Sequence, residues 1–160
     1  MHPLLLIFLW LVGTVVLLVL ILTIGLRLKI GFVLDAVRRM NRRFMNPRQM
    51  SSAGQPDAYA AIVRHVGRTS GTPYETPVVV EPTPDGFAIA LPYGIRSDWL
   101  LNVLAASHAT IVHEGAEHHV TTPVLHVMTD VEHHFPAKDR TTHRVMGVTD
   151  ALLVEHADSP

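Results

Sequence analysis

A small antiparallel β-barrel with added helices, carried behind one membrane-spanning helix, is the fold this sequence predicts. Three observations lead to it. Residues 3–26, "PLLLIFLWLVGTVVLLVLILTIGL", contain no charged side chain and as a helix are long enough to cross about 30 Å of hydrocarbon. From residue 57 onward, short β-rich runs follow one another at close spacing, separated by turn residues. Within that series one run, residues 97–107, has helical rather than alternating spacing.

The first run predicts a retained anchor. A secretory signal would have a basic start, a shorter apolar core and a small-residue cleavage site, whereas here only His2 precedes the run and "RLK" comes after it. Arg27, Lys29, Arg38, Arg39, Arg42 and Arg43 lie on its C-terminal side, so the rest of the chain is expected in the cytosol, as a single-pass membrane protein. The chain has no cysteine, which fits a reduced compartment and excludes a disulfide framework. With 160 residues and a formal net charge of -1, there is room for one soluble domain, and no nucleic-acid partner is indicated. The expected division is an anchor over 1–26, a basic helix and linker over 27–56, and a barrel domain over 57–160.

Residues 28–45 carry helical periodicity. Ile30, Val33, Leu34, Val37, Met40 and Phe44 fall on one face, and Arg38, Arg39, Arg42 and Arg43 on the other. Such a helix can lie on an anionic lipid surface or cap the domain. "NPRQMSSAGQP", residues 46–56, reads as a linker. Strands are expected in "AAIVRHV" (60–66), "TPVVVEP" (76–82), "GFAIALP" (86–92), "ATIVHEG" (109–115) and "EHHVTTP" (117–123), with a tight turn at "PDG" (84–86). The inserted helix has Ser97 as expected N-cap, Asp98 at its positive end, and Trp99, Val103 and Leu104 at core-facing spacing. Residues 131–147 read as a helical or irregular excursion before a last strand near "ALLVEHA".

Two stretches bear on chemistry. "GRTSG", residues 67–71, sets an arginine fork and two hydroxyls in a glycine-bounded turn. That is the chemistry of a phosphate cradle, and equally that of a hairpin turn with a solvated arginine. The chain's eleven histidines show no His-x-His or metalloprotease spacing, and His118 and His119 alternate across a strand, so no metal site is expected. Tyr74 and Glu75 read as turn residues, Tyr93 as a ring-stacking or core aromatic, and Trp99 as a helix anchor or a ligand contact.

The wider pattern changes the reading of the turn. "GRTSGTPYETPVVV", "DGFAIALPYG", "SDWLLNVLAAS" and "GAEHHVTTPVL", in that order, resemble the deazaflavin-dependent nitroreductase-like family, which uses coenzyme F420. The resemblance covers most of residues 62–125 and rests on Gly67, Arg68, Ser70, Gly71, Thr76, Pro77, Tyr93, Gly94, Asp98, Trp99 and Asn102. It implies a split β-barrel of the flavin-reductase type. It also implies that Arg68, Thr69, Ser70 and Gly71 contact the cofactor's phosphate and acidic tail, that Pro77, Val78 and Val79 run along the deazaflavin ring, and that Trp99 and Asn102 close the groove. Two departures stand out. The family often has lysine where this chain has Thr69, and the tail "ALLVEHADSP" lacks the aromatics that nitroreductase members place over substrate, so the resemblance does not carry nitroimidazole reduction to this chain.

The function implied is a membrane-anchored oxidoreductase passing a hydride from reduced F420 to a small acceptor. Tyr93 is the candidate proton donor, and a quinone is a candidate acceptor because of the anchor. FMN is the alternative cofactor, and a non-catalytic deazaflavin- or flavin-binding module at the membrane is the alternative function. Barrels of this kind commonly form homodimers, and that assembly is expected here.

Overall fold

The computed structural model describes residues 3–157; residues 1–2 and 158–160, the outer ends of the expected anchor and barrel segments, lie outside it. The apolar run forms helix α1, Pro3–Arg27, and its side chains are exposed along almost its whole length. Among the described residues it is the one helix long and apolar enough to cross a membrane. A left-handed Lys29 (φ 52°) turns the chain sharply into α2, Gly31–Met40. The two helices cross closely at Gly25, where an added Cβ would lie 3.0 Å from the Val33 methyls. Next come a π-helical turn, Asn41–Met45, and a short α3, Asn46–Gln49.

The expected single stripe on this segment is narrower than its periodicity suggests. Leu34 and Val37 are buried, packed with Leu26, Val33, Tyr93 and Met146, while Met40 and Phe44 are exposed. The π turn inserts an extra residue and shifts the helical phase beyond it, so Phe44 no longer continues the Leu34 and Val37 row.

The domain itself is a seven-stranded antiparallel sheet: β1 Ala61–Val66, β2 Pro73–Val78, β3 Glu81–Pro82, β4 Gly86–Ala90, β5 His108–His113, β6 Ala116–Val127 and β7 Asp150–His156. Their order across the sheet is β2-β1-β5-β6-β7-β4-β3. The two edge strands, β2 and β3, are separated in the chain by Val79 and Val80 alone. A flat sheet would hold those edges about 29 Å apart at about 4.8 Å per strand, whereas the connection reaches about 11 Å. The sheet must therefore curl until its edges meet, which makes it the split β-barrel. This connection also splits the expected 76–82 strand in two, because a strand leaving one edge cannot enter the other without a corner. Tyr74 and Glu75 accordingly sit in β2 rather than in a turn, opposite His65 and Arg64.

Side chains that alternate inward fill the barrel: Ala61 and Val63, Phe87 and Ile89, Ala109 and Ile111, Val120, and Leu152 and Val154. Helix α4, Asp98–Ala106, plugs one end with Leu100 and Val103, which are fully buried, while Trp99 and Leu104 pack at its margin. Burial of each such side chain is worth about 1.5–3 kcal/mol. Ser97 has extended N-cap geometry, but its side chain makes no capping bond. The excursion is helical: α5, Met128–Val131, a 3-10 turn, Glu132–His134, and α6, Ala137–Met146. Its Met128, Val131 and Phe135 cover the outer face of β4 and β7 at Ala88 and Ala151, whose small side chains admit this second layer. β6 outruns the expected 117–123 strand because an irregularity between Thr121 and Val124 re-aims it along β7.

The C-terminal end of α1 touches this body. Arg27 Nη1 donates to the carbonyls of Arg144 (3.0 Å) and Val145 (3.2 Å), at the C-terminal end of α6 where a cation is favoured.

Candidate functional site

The "GRTSG" turn joins β1 to β2 as a closed loop. Gly67 N–H donates to Thr72 O and Gly71 N–H to Gly67 O, both at 2.8 Å, and Ser70 Oγ accepts from Thr72 N–H at 3.2 Å. Gly67 is required by crowding, since a Cβ there would stand 2.5 Å from Ser70 Oγ and 2.9 Å from the Tyr74 ring. Gly71 supplies the left-handed φ of 67°.

From this loop Arg68 reaches α4. Its backbone N–H (3.1 Å) and its Nη1 (2.8 Å) both donate to Asn102 Oδ1. Both are obligate donors, so the Asn102 oxygen must face them and its Nδ2 faces His65 Nδ1, at 3.1 Å. His65 Nδ1 is then the acceptor, and its protonated Nε2 donates to Thr76 Oγ1, also at 3.1 Å. Asn102 and His65 are 5% and 7% exposed, so these bonds satisfy groups that water cannot reach. Burial lowers the His65 pKa below its usual value against the opposing pull of Asp98, in keeping with the neutral tautomer the network demands.

Asp98, in the first turn of α4, receives Arg42 Nη2 at 2.8 Å and lies 3.5 Å from Arg68 Nη2. Arg38 Nη2 donates to the Tyr93 carbonyl at 2.9 Å, and Arg38 also pairs with Asp35. Exposed pairs such as Arg42–Asp98 are worth about 0–1 kcal/mol, so they orient side chains without locking them.

These parts surround one groove of about 1140 Å³. One wall is the outer edge of β2 with Pro77, Val78 and Val79, one end is the loop with Arg68, Thr69 and Ser70, and Trp99 and Asn102 form the floor at α4. A further wall comes from the segment after α1, including Arg38, Asn41, Arg42 and Met45, with α6 beside it. Every sequence-predicted site residue lies on this groove except Gly71, which shapes the loop behind it. Tyr93 lines the groove while its ring packs into the junction of α1 and α2. Trp99 packs on the barrel core and also faces the groove.

Sequence reasoning missed His65, Arg38 and Arg42. His65 was detectable, since Ala61, Val63 and His65 alternate inward on β1. Arg42 was not, because its partner Asp98 lies 56 residues away. The histidines form aromatic clusters instead, with His113, His118 and His156 edge-on to Phe87. Among the described residues no group of histidines and carboxylates is placed to hold a metal ion.

No family profile matches the chain, and no curated protein matches it. Solved structures are similar to it, two of them as follows. One, described as a domain-swapped dimer, shares 14% identity over 76% of this chain and 98% of its own, with a TM-score of 0.49. The other, described as an F420-H2 dependent reductase (FDR-A), shares 13% identity over 61% of this chain and 94% of its own, with a TM-score of 0.45. Neither likeness decides the fold, which is set by the strand order and the two-residue corner between its edges.

Proposed function

We propose that the protein is a membrane-anchored oxidoreductase that uses reduced coenzyme F420 to reduce a small, lipophilic acceptor such as a quinone. One observation carries the reading: the residues that the family pattern assigns to cofactor converge from the β1–β2 loop, β2 and α4 on a single groove of about 1140 Å³. That volume exceeds the usual range for a compact ligand and suits an elongated one. The donor set fits as well, with a guanidinium at one end for an anionic tail and an apolar strand edge for a flat ring.

Bound there, reduced F420 supplies a hydride from C5 of its ring. The chain's part is to hold and orient. Arg68, Thr69 and Ser70 would hold the phosphate and tail, Pro77 to Val79 would lie along the ring, and Trp99 with α4 would exclude water. The accompanying proton comes from Tyr93 or from solvent, so that hydride and proton together complete a two-electron reduction. No side chain acts as a covalent nucleophile. The apolar α1 and its contact with α6 through Arg27 support an acceptor drawn from the bilayer.

The cofactor reading is tested at Arg68. Arg68→Ala should weaken F420 binding by about 1.5–3 kcal/mol, roughly ten- to more than a hundredfold, as read by fluorescence quenching at fixed ionic strength. The backbone N–H of residue 68 still reaches Asn102 in that variant, so the melting temperature should hardly change. Unaltered affinity would remove the loop from the site.

The anchor reading makes a separate prediction. A reporter fused after Pro160 should be active in the cytoplasm of a bacterial host, with the protein in the membrane fraction. Periplasmic activity would reverse the orientation, and a soluble full-length chain would remove the anchor.

A further inference from the structure

The β1–β2 loop carries a single cation, Arg68, with the neutral Thr69 beside it. The loop is therefore one cation short for a ligand carrying a phosphate and an acidic tail. A second guanidinium, from the segment after α2, lines the same groove. Arg42, in the π-helical turn Asn41–Met45, lies 2.8 Å from Asp98 Oδ2, and Arg68 Nη2 lies 3.5 Å from Asp98 Oδ1. Two guanidinia from distant parts of the chain thus meet on the two oxygens of one carboxylate, and both line the groove. A phosphate presents two anionic oxygens at similar spacing, and arginine forks bind it in the same bidentate geometry as a carboxylate. Arg68 is already oriented by Asn102. The Arg42 side chain is 69% exposed, so it can follow a ligand without leaving a buried charge behind.

We propose that Arg42 is the second arginine of the cofactor's phosphate site, so that the segment following the anchor completes a site the β1–β2 loop leaves one cation short. The proposal rests on the cofactor reading above. Asp98 holds the two like-charged guanidinia together, and an arriving phosphate takes its place between them.

A purely structural strap between Arg42 and Asp98 makes a different prediction. In that case Arg42→Gln and Asp98→Asn break the same link and change affinity in the same direction. In a phosphate clamp they act in opposite directions, because Asp98→Asn removes a competing and repelling carboxylate from both arginines.

The test is to titrate the full-length protein, in detergent micelles, with F420, with FMN and with a deazaflavin fragment lacking phosphate and tail. Arg42→Gln should raise Kd for the phosphate-bearing ligand about tenfold, Asp98→Asn should lower it about threefold, and neither should alter binding of the fragment. An unchanged Kd in Arg42→Gln, while Arg68→Ala still loses affinity, overturns the proposal and leaves the cofactor reading standing. Equal weakening by both variants also overturns it, in favour of the strap. Failure of the wild-type protein to bind either F420 or FMN overturns the cofactor reading and this proposal with it.

Discussion

Asn102→Ala is expected to destabilise the protein by about 2–4 kcal/mol and to loosen the Arg68 loop. The amide sits at the centre of a buried chain of bonds, accepting two N–H groups from Arg68 and donating to His65. Its loss leaves His65 Nδ1 without a partner away from water, at about 1–3 kcal/mol, and removes the shared acceptor of the part-buried Arg68 N–H groups. Urea denaturation measures the change, and a loss below about 1 kcal/mol would mean that water replaces the amide.

Asn102→Asp sharpens this prediction. A carboxylate still accepts from Arg68, but opposite His65 Nδ1 it draws a proton onto the ring. In the wild-type protein burial lowers the His65 pKa below 6.5. Its contribution to stability is therefore present above about pH 6.5 and lost as the pH falls through the folded value, because the unfolded chain takes up the proton first. In Asn102→Asp the folded pKa rises, and the contribution is present below about pH 6.5 and lost as the pH rises through the new value. His118, His134 and His143 are also shifted down by burial and share the acid lability. The decisive readout is thus the difference between variant and wild-type profiles between about pH 5 and 8. Parallel profiles would show that His65 is not coupled to the amide.

Gly86→Ala is expected to cost about 3 kcal/mol or more and to open the barrel seam. A Cβ at this position would stand 2.0 Å from the Val154 carbonyl oxygen and 2.9 Å from Glu155 Cα. These are backbone atoms of the paired strand, with Gly86 opposite Glu155, so no side-chain rotation relieves the clash and β4 must move from β7. β3 is held to the sheet through β4 alone, so the corner at Val79 and Val80, and with it one wall of the groove, should loosen too. The near-UV circular dichroism of Trp99 and the melting temperature report both effects. A melting temperature within about 2 °C of wild type, which for a domain of this size corresponds to well under 1 kcal/mol, would show that the seam tolerates the methyl.

Several sequence expectations needed revision where distant segments meet. "TPVVVEP" has the composition of one strand, yet the chain turns a corner inside it to pass from one sheet edge to the other. Tyr74 stacks on His65 within the β1–β2 ladder, with ring centroids 5.8 Å apart, although flanking Gly, Thr and Pro read as a longer turn. Glu75 is likewise a ladder residue, paired with Arg64 at 2.8 Å. Residues 46–56 read as linker, yet part of that stretch lines the groove.

What the sequence determined by itself is what short-range physics encodes: the apolar run of α1, the alternation of inward residues on β1, β4 and β5, the helical spacing of α4 and the glycine-bounded loop carrying Arg68. Hydrophobic periodicity and turn chemistry act over a few residues and survive without the rest of the fold. Tertiary structure alone decided that the sheet curls shut, that Asn102 orients Arg68 while fixing the tautomer of His65, and that Arg42 comes to share Asp98 with Arg68. Those outcomes join residues 34, 37 and 56 positions apart, and no local propensity records them. They result from burial of Leu34 and Val37 on one side and Leu100 and Val103 on the other, which brings polar groups together as a consequence of where apolar ones had to go.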